Sequence, residues 1–189
     1  MSQLFIKKFR EKVTLDLEEE KILLNHLSLK KLKKGEHFLY AGEITEHITF
    51  IEKGVLRAYV LNSKGDENVV LFGLEGWTMG DLNSFIKKKP ATYNIDALED
   101  TELVLISKES HVRLLDILPK YESYIRILMT DAYMAIQKRT ANIISLPLDK
   151  RYEIFVETYP DIIQRVPQYM IASYMGITPE TLSRIRAKK

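Results

Sequence analysis

Polar and charged residues that could contact another molecule cluster near the end of the chain, at helical spacing. Glu180, Arg184 and Lys188 follow one another at intervals of four residues, which places them on one helical face. Residues 182–189 contain four cations and no acid, as a surface that meets nucleic-acid phosphates requires. The candidate DNA contacts on and beside this face are Thr178, Glu180, Thr181, Ser183, Arg184, Arg186 and Lys188.

A helix-turn-helix over residues 168–186 would present this face outward. Ala172 is small where two helices must approach closely, and Gly176 lies where the turn requires a positive φ. Thr178 can cap the second helix and Pro179 suits its first position, so we expect that helix to begin at Pro179. The apolar residues expected between the two helices are Ile171, Met175, Ile177, Leu182 and Ile185. A buried helical hairpin whose charges are only solvated is the alternative interpretation.

Composition limits the classes of protein to which the chain can belong. Its 189 residues, 46% of them hydrophobic, can bury one core or two small ones. The lack of cysteine excludes thiolate chemistry, and the four histidines lack metal-ligand spacing, so no metal site is expected. We find no Gly-Lys-Ser/Thr phosphate loop, nucleophile elbow or His-Glu zinc pair, and therefore expect no enzyme. The sequence also has no apolar run of membrane-spanning length and no signal-peptide core, so we expect a cytoplasmic protein without a membrane partner.

Positive charge collects in the last third of the sequence. Residues 1–118 hold 17 basic and 19 acidic side chains, a net charge of −2, whereas residues 119–189 hold 11 and 7, a net charge of +4. Attraction to phosphates dominates non-specific DNA affinity. The distribution therefore favours double-stranded DNA as the partner of the helix-turn-helix.

The first part of the chain has the pattern of an all-β domain. Seven of the eight glycines lie between Gly35 and Gly80 and alternate with short β-type runs. These runs are residues 37–40, 48–51, 55–61, 68–72, 93–98 and 103–106. Many short strands separated by glycine turns favour an antiparallel sandwich or barrel such as a jelly roll. We therefore predict an α+β fold class, with an N-terminal jelly-roll β-barrel.

Helices are predicted on both sides of this barrel. An acidic first turn and a leucine-rich 3.6-residue period predict a helix over Leu15–Lys31 that packs on the barrel. Ser107 can cap a short helix that ends near Leu118, and Pro119 can open a long one through Ile144. The predicted domains are a sensor over residues 1–118, a dimerisation helix over 119–146 and a DNA-binding domain over 147–189.

The long helix carries a stripe that could pair with a second copy of the chain. Its members recur at steps of four and three residues, with Arg139 as an interruption, and are Ile125, Met129, Ala132, Ile136 and Ile143. We predict a parallel homodimer, which would hold two recognition helices about one DNA turn apart over a near-palindromic site. The alternative is that the stripe lies on the barrel of its own chain.

The order of these parts resembles the Crp/Fnr (catabolite activator/fumarate-nitrate) regulators over about residues 15–189. Residues 177–185, Ile-Thr-Pro-Glu-Thr-Leu-Ser-Arg-Ile, are similar to the recognition-helix signature of that family. The resemblance implies that Glu180 and Arg184 read base edges. A carboxylate can accept from cytosine N4, and an arginine can grip guanine O6 and N7. Pro179 departs from the arginine of many relatives, and Lys189 follows the recognition helix without a β-hairpin wing, so the resemblance implies fewer contacts here.

The resemblance also implies an effector pocket in the barrel. Met79-Gly-Asp-Leu82 is similar to the Gly-Glu-Leu element whose acid meets a ribose hydroxyl, but the arginine and serine that clamp the phosphate correspond to Ala91 and Thr92. The adenine-contacting pair corresponds to Ile136 and Gln137. The implied pocket residues are therefore Gly80, Asp81, Leu82, Ala91, Thr92, Ile136 and Gln137.

Without the arginine, a buried phosphate lacks an opposing charge, so we expect a small-molecule effector other than cAMP, and no other cofactor. Two alternatives stay open at this point. The run Lys87–Lys89 could supply a charge or be a solvated loop, and Trp77 and Phe85 could line a pocket or be core residues.

These observations predict a dimeric, sequence-specific DNA-binding transcription regulator of the Crp/Fnr type. RNA polymerase is a further partner that such a regulator implies. The alternative is a cyclic-nucleotide-like sensor or protein-interaction module that does not bind DNA.

Overall fold

The first part of the chain folds as two facing antiparallel sheets in a computed structural model that describes residues 2–187. One sheet has the strand order β1-β8-β3-β6 and the other the order β2-β7-β4-β5. The strands are β1 (Ser28–Leu32), β2 (His37–Leu39), β3 (His47–Lys53), β4 (Leu56–Leu61), β5 (Glu67–Gly73), β6 (Thr78–Met79), β7 (Asn94–Ala97) and β8 (Thr101–Ser107).

This order is that of an eight-stranded jelly roll, referred to below as the roll, and it confirms the predicted α+β fold class. Apolar side chains from both sheets fill the space between them, among them Leu39, Ile51, Leu56, Ile95 and Leu103. Each of the six runs predicted as strands overlaps one of these eight strands. The roll is not a closed barrel, because each sheet ends in edge strands that do not pair with the other sheet.

The other regular elements of the described residues are helices. They are α1 (Gln3–Lys12), α2 (Leu17–Leu24), α3 (Leu82–Lys87), α4 (Lys108–Ile117), α5 (Pro119–Ser145), α6 (Leu148–Thr158), α7 (Pro160–Arg165), α8 (Gln168–Met175) and α9 (Pro179–Ala187). Among these helices, none has both the length and the apolarity that crossing a bilayer demands.

The prediction of one helix over residues 15–31 is wrong in its second half. Asp16 and Glu19 form a capping box that starts α2, but the helix ends at Leu24. The next residues form β1, which pairs with β8 from Ser28 opposite Leu105 to Leu32 opposite Thr101. A leucine-rich segment satisfies either periodicity over a short run, and here pairing with a distant strand decides.

Two predicted features of the helices after the roll are confirmed. The Ser107 hydroxyl accepts a hydrogen bond from the Ser110 backbone N–H at 3.0 Å, and α4 starts there. Pro119 occupies the first position of α5, whose early residues Tyr121 and Tyr124 are buried against the roll. This packing anchors the start of the long helix on the roll.

The C-terminal helices dock on β5, an edge strand of its sheet. The Val69 backbone N–H donates to the Ser173 hydroxyl at 2.9 Å, and that hydroxyl donates to the Glu67 carbonyl at 3.1 Å. A single hydrophobic cluster joins Phe72 of the roll to Phe155 and the rest of the C-terminal core. Docking thereby covers the unpaired backbone groups of an edge strand.

Candidate nucleic-acid interface and ligand cavity

Helices α8 and α9 form the predicted helix-turn-helix. Gly176 adopts a φ of +71° and its N–H bonds to carbonyls of the last turn of α8, which ends that helix. Ala172 is 0% exposed where the helices approach. Helix α9 begins at Pro179, as predicted, and Leu182 is buried beneath it. Ile171 and Met175 are buried too, and Ile177 and Ile185 are partly buried against the same cluster.

The opposite face of α9 is open to solvent. Exposed on or beside it are Thr178, Glu180, Ser183, Arg184 and Arg186, while Thr181 is half-buried; Lys188 lies outside the described residues. Hydrogen bonds from its own backbone N–H and from Thr178 hold the pKa of the Glu180 carboxyl below its usual value. The structure thus presents a carboxylate and two guanidinium groups on one accessible helix.

Thr181 has a positioning role that the sequence did not reveal. Its backbone N–H donates to the Thr178 hydroxyl at 3.3 Å, which caps α9. Its own hydroxyl accepts a hydrogen bond from Arg184 Nη2 at 3.1 Å. The Arg184 fork is therefore held toward the N-terminal end of α9. Side chains near that end are the ones that reach base edges in helix-turn-helix complexes.

A second contact between the roll and the C-terminal helices is a cluster of Arg165, Glu75 and Glu99. Arg165 donates to both oxygens of Glu75 at 2.8 Å and also bonds to both oxygens of Glu99. The hydrogen bond from Arg165, with a smaller contribution from the Gly54 N–H, lowers the pKa of Glu75 to about 2. Sequence reasoning missed this cluster because Arg165 lies 66 and 90 residues from its partners.

We expect the variant Arg165→Ala to lose roughly 1–2 kcal/mol in its free energy of unfolding at neutral pH. This is the usual contribution of a hydrogen bond to a charged group, reduced because the cluster is partly exposed. The pKa of Glu75 in the folded protein lies below its ordinary value of 4.5. The ionised carboxylate therefore stabilises the folded state above pH 4.5, and this contribution disappears as the pH falls toward 2. Urea titrations across this range should therefore show a shallower acid dependence for the variant than for the parent. Lys33→Ala, which removes an exposed pair with Asp100, is the control. An equal acid dependence in variant and parent would refute the role assigned to Glu75.

A cavity of about 780 Å³ lies between the roll, α5 and the C-terminal helices, and is referred to below as the junction cavity. Four of the predicted effector residues border it: Gly80, Asp81, Leu82 and Ile136. The other three lie elsewhere. Ala91 is buried in the core of the roll and Thr92 is exposed, while exposed Gln137 donates to the Tyr133 hydroxyl at 3.0 Å.

Asp81, the acid expected to meet a ribose, has a structural role. Its side chain is 2% exposed and accepts the Ser84 N–H at 2.9 Å with one oxygen. The other oxygen accepts the Thr92 N–H at 2.7 Å. Asp81 therefore starts α3 and ties it to the segment after it.

The two open questions about nearby residues now have structural answers. Lys87, Lys88 and Lys89 are exposed and do not border the junction cavity. Trp77 and Phe85 both border it, Phe85 as a buried residue and Trp77 as a half-buried one. The cavity therefore has aromatic walls and receives no charge from the lysine run.

The stripe predicted on α5 divides into two parts. Ile125 packs against the roll of its own chain, Ala132 borders the junction cavity, and Arg139 donates to the Val70 carbonyl at 2.9 Å. These contacts match the own-chain alternative. Ile136 and Ile143 stay largely exposed.

A set of mostly exposed residues with heptad spacing overlaps that stripe. It consists of Met129, Tyr133, Ile136, Thr140 and Ile143, at steps of four and three residues, and exposed Ile144 extends it. This set is referred to below as the exposed heptad. It shares Met129, Ile136 and Ile143 with the predicted stripe, and the sequence pattern alone did not show that Tyr133 and Thr140 replace Ile125 and Ala132 on the exposed side.

Comparison with known proteins gives consistent matches across the chain. Residues 29–117 match the cyclic nucleotide-binding domain family. Electron transport regulator A of Shewanella oneidensis is 22% identical over 167 residues, which are 82% of this chain and 66% of that protein. Transcriptional regulatory protein btr of Bordetella pertussis is 25% identical over 167 residues, 82% of this chain and 68% of that protein. The chain thus spans about two thirds of each relative.

Solved structures share the fold over most of the chain. The c-di-GMP responsive global regulator CLP of Xanthomonas campestris superposes with a TM-score of 0.71 at 16% identity, covering 92% of this chain and 91% of its own. FixK2 of Bradyrhizobium japonicum has a TM-score of 0.69 at 18% identity, covering 86% and 83%. The catabolite activator protein of Thermus thermophilus has a TM-score of 0.61 at 17% identity, covering 96% and 85%.

Proposed function

From the premise that this chain belongs with the Crp/Fnr regulators, by its cyclic nucleotide-binding domain and by its fold, we propose that it is a dimeric, DNA-binding transcription regulator. The observation that carries the proposal is the exposed face of α9 on a helix whose other side is buried. An amphipathic helix so anchored can enter a major groove as a rigid unit.

Each polar residue on α9 has chemistry that suits a DNA contact. Glu180 can accept from cytosine N4, and Arg184 can donate both branches of its fork to guanine. Thr178, Ser183 and Arg186 suit phosphate oxygens, which set the register of the protein on the duplex. Base reading is thus assigned to two residues and positioning to the others.

The exposed heptad supports the dimer. Its Tyr133, Ile136 and Ile143 side chains are 62%, 63% and 48% exposed on a long helix, and contiguous apolar surface of this kind marks an interface. Parallel pairing of two copies of α5 would place two copies of α9 on the same side of the assembly. The expected target is therefore a two-fold symmetric site, and RNA polymerase is the further partner through which the bound dimer would act.

Arg184→Ala should relax base preference at one position in each half-site. A bidentate arginine–guanine pair contributes about 1–3 kcal/mol of discrimination, so enrichment at that position should fall while the others persist. The measurement is selection from a random DNA pool, followed by titrations at several salt concentrations.

Arg186→Ala is the matched control, because it removes a cation from the same helix. The Arg186→Ala variant should lower the affinity for all DNA sequences about equally. The slope of log affinity against log salt concentration should fall by about one. If the unaltered protein binds all sequences of the pool weakly and equally, sequence-specific DNA binding is contradicted. That result would favour the second candidate, a sensor or protein-interaction module of the same fold.

A further inference from the structure

We propose that a surface on α3 and on the loop between β2 and β3 binds an acidic segment of another protein, a function separate from DNA binding. Three exposed aliphatic side chains form the centre of this surface: Ile44, Leu82 and Ile86, at 43%, 47% and 47% exposure. The run Lys87–Lys89 follows directly and is exposed throughout. The three aliphatic residues and the three lysines are referred to below as the α3 patch.

Hydrogen bonds fix the backbone beneath the α3 patch. The Thr45 N–H donates to the Ser84 hydroxyl at 2.8 Å, which holds the loop against the middle of α3. The Ala91 N–H donates to the Glu43 carbonyl at 2.7 Å and ties the segment after the lysines to the same loop. The inner side of α3 is buried at Ser84 and Phe85. Since the backbone is already ordered, a partner that binds here loses less free energy to ordering.

The lysines of the α3 patch have no partner of opposite charge. Within residues 2–187 none of them forms an ion pair. Of the two acids in the adjoining loop, Glu43 accepts the Tyr40 N–H at 2.9 Å with its carboxylate, and Glu46 accepts the Lys108 N–H at 3.0 Å with its carbonyl. The Lys108 side chain adds another cation beside α3, with Nζ 4.8 Å from the centroid of the Phe85 ring. The C-terminal end of α3 therefore carries a cationic rim that is complementary to carboxylates.

Lys88 occupies a backbone conformation that favours glycine. Its φ is +52° and its ψ is +39°, and its N–H bonds to the Ser84 carbonyl at 2.8 Å where α3 ends. Among residues 2–187, it is the only residue other than glycine with a positive φ. A side chain at this position carries a conformational cost that glycine would avoid. Contact with a partner's carboxylate gives this costly lysine a role that it lacks in the isolated chain.

The composition of the α3 patch favours a protein partner over DNA or a lipid surface. Contacts to DNA phosphates use cations and polar groups, and they leave the three aliphatic side chains without a role. A lipid surface requires a longer apolar face than the six residues of α3 supply. An apolar centre beside a charged rim is the usual anatomy of a protein–protein interface. The matching partner is a segment that carries both aliphatic and acidic side chains.

Panning of random dodecapeptides on phage against the full chain tests this proposal. We expect enrichment of peptides in which Asp or Glu flanks Leu, Ile or Phe. Fluorescence anisotropy then measures binding of the most enriched peptide. The variant Lys87→Glu/Lys88→Glu/Lys89→Glu should weaken that binding more than about tenfold. The control variant Lys7→Glu/Lys34→Glu/Lys64→Glu reverses three exposed lysines elsewhere, so it makes the same change in net charge and should alter the affinity by less than about twofold.

Two single substitutions separate a role in binding from a role in folding. Because glycine relieves the left-handed backbone, Lys88→Gly should raise the urea midpoint of unfolding and still lower the peptide affinity about threefold. Ile86→Asp places a carboxylate in the apolar centre and should weaken binding more than about tenfold. Since Ile86 is exposed, its replacement should leave the urea midpoint nearly unchanged.

Several results would overturn the proposal. One is a panned pool without acidic enrichment, and another is equal peptide affinity in the parent and the Lys87–Lys89 variant. Sedimentation of the parent but not of that variant with phosphatidylglycerol vesicles would identify a lipid partner instead. Loss of the two-fold DNA site in that variant would make the lysine run a DNA contact. A protein that binds the peptide through the α3 patch but selects no DNA sequence contradicts only the proposed regulator.

Discussion

Replacing Tyr133 and Ile144 together by glutamate should make the protein monomeric and lower its affinity for a two-fold symmetric DNA site by about 100-fold or more. Both side chains belong to the exposed heptad, at 62% and 80% exposure, and neither borders the junction cavity. In a parallel pair of helices the new carboxylates of two chains would meet and repel one another. Sedimentation gives the mass of the assembly, and titration of the selected DNA site gives the affinity.

Leu17→Glu is the control for this variant. Leu17 is also an exposed apolar side chain, but it lies on α2, remote from α5 in the sequence and outside the exposed heptad. It should leave mass and DNA affinity unchanged. A Tyr133→Glu/Ile144→Glu protein that stays dimeric would show that another surface holds the two copies together.

Arg57→Met should lower the free energy of unfolding by about 3–5 kcal/mol, the usual effect of breaking a buried ion pair. Arg57 is 6% exposed and forms two hydrogen bonds to Asp96, at 2.8 and 2.9 Å, and an ion pair with Glu67 at 2.6 Å. The substitution would leave the Asp96 carboxylate buried and unpaired between β2 and β4. Urea denaturation measures the change.

Two further variants separate loss of the pair from loss of the side chain. Arg57→Met combined with Asp96→Leu should regain most of the stability, since apolar pairs of similar volume often replace buried ion pairs without penalty. Lys31→Ala, which removes an exposed pair with Glu102, should change stability by less than about 1 kcal/mol. A loss below 1 kcal/mol in Arg57→Met would contradict the burial seen in the structure.

Arg57 also shows why some important residues escape a reading of the sequence. Its partners lie 39 residues away at Asp96 and ten residues away at Glu67, on neighbouring strands of one sheet. Nothing in the local pattern of β4 distinguishes this arginine from a solvated one. Strand order, which depends on long-range pairing, decides that it is enclosed.

The helix-turn-helix lies at the other extreme. Gly176, Thr178 and Pro179 specify the turn and the start of α9 through backbone angles and one capping bond, all within six residues. The start of α5 at Pro119 and of α4 after Ser107 rest on similarly local causes. For this reason the predicted starts of these helices agree with the structure.

The sequence by itself determined the jelly-roll class, the long helix and the recognition helix, because short-range periodicity, turns and caps encode them. Only the tertiary structure decided that residues 28–32 form a strand, that both oxygens of the Asp81 carboxylate accept backbone hydrogen bonds, and which side of α5 is free. Those outcomes depend on the groups that lie opposite each residue. Because such groups come from distant parts of the chain, folding brings them together and spacing along the sequence does not reveal them.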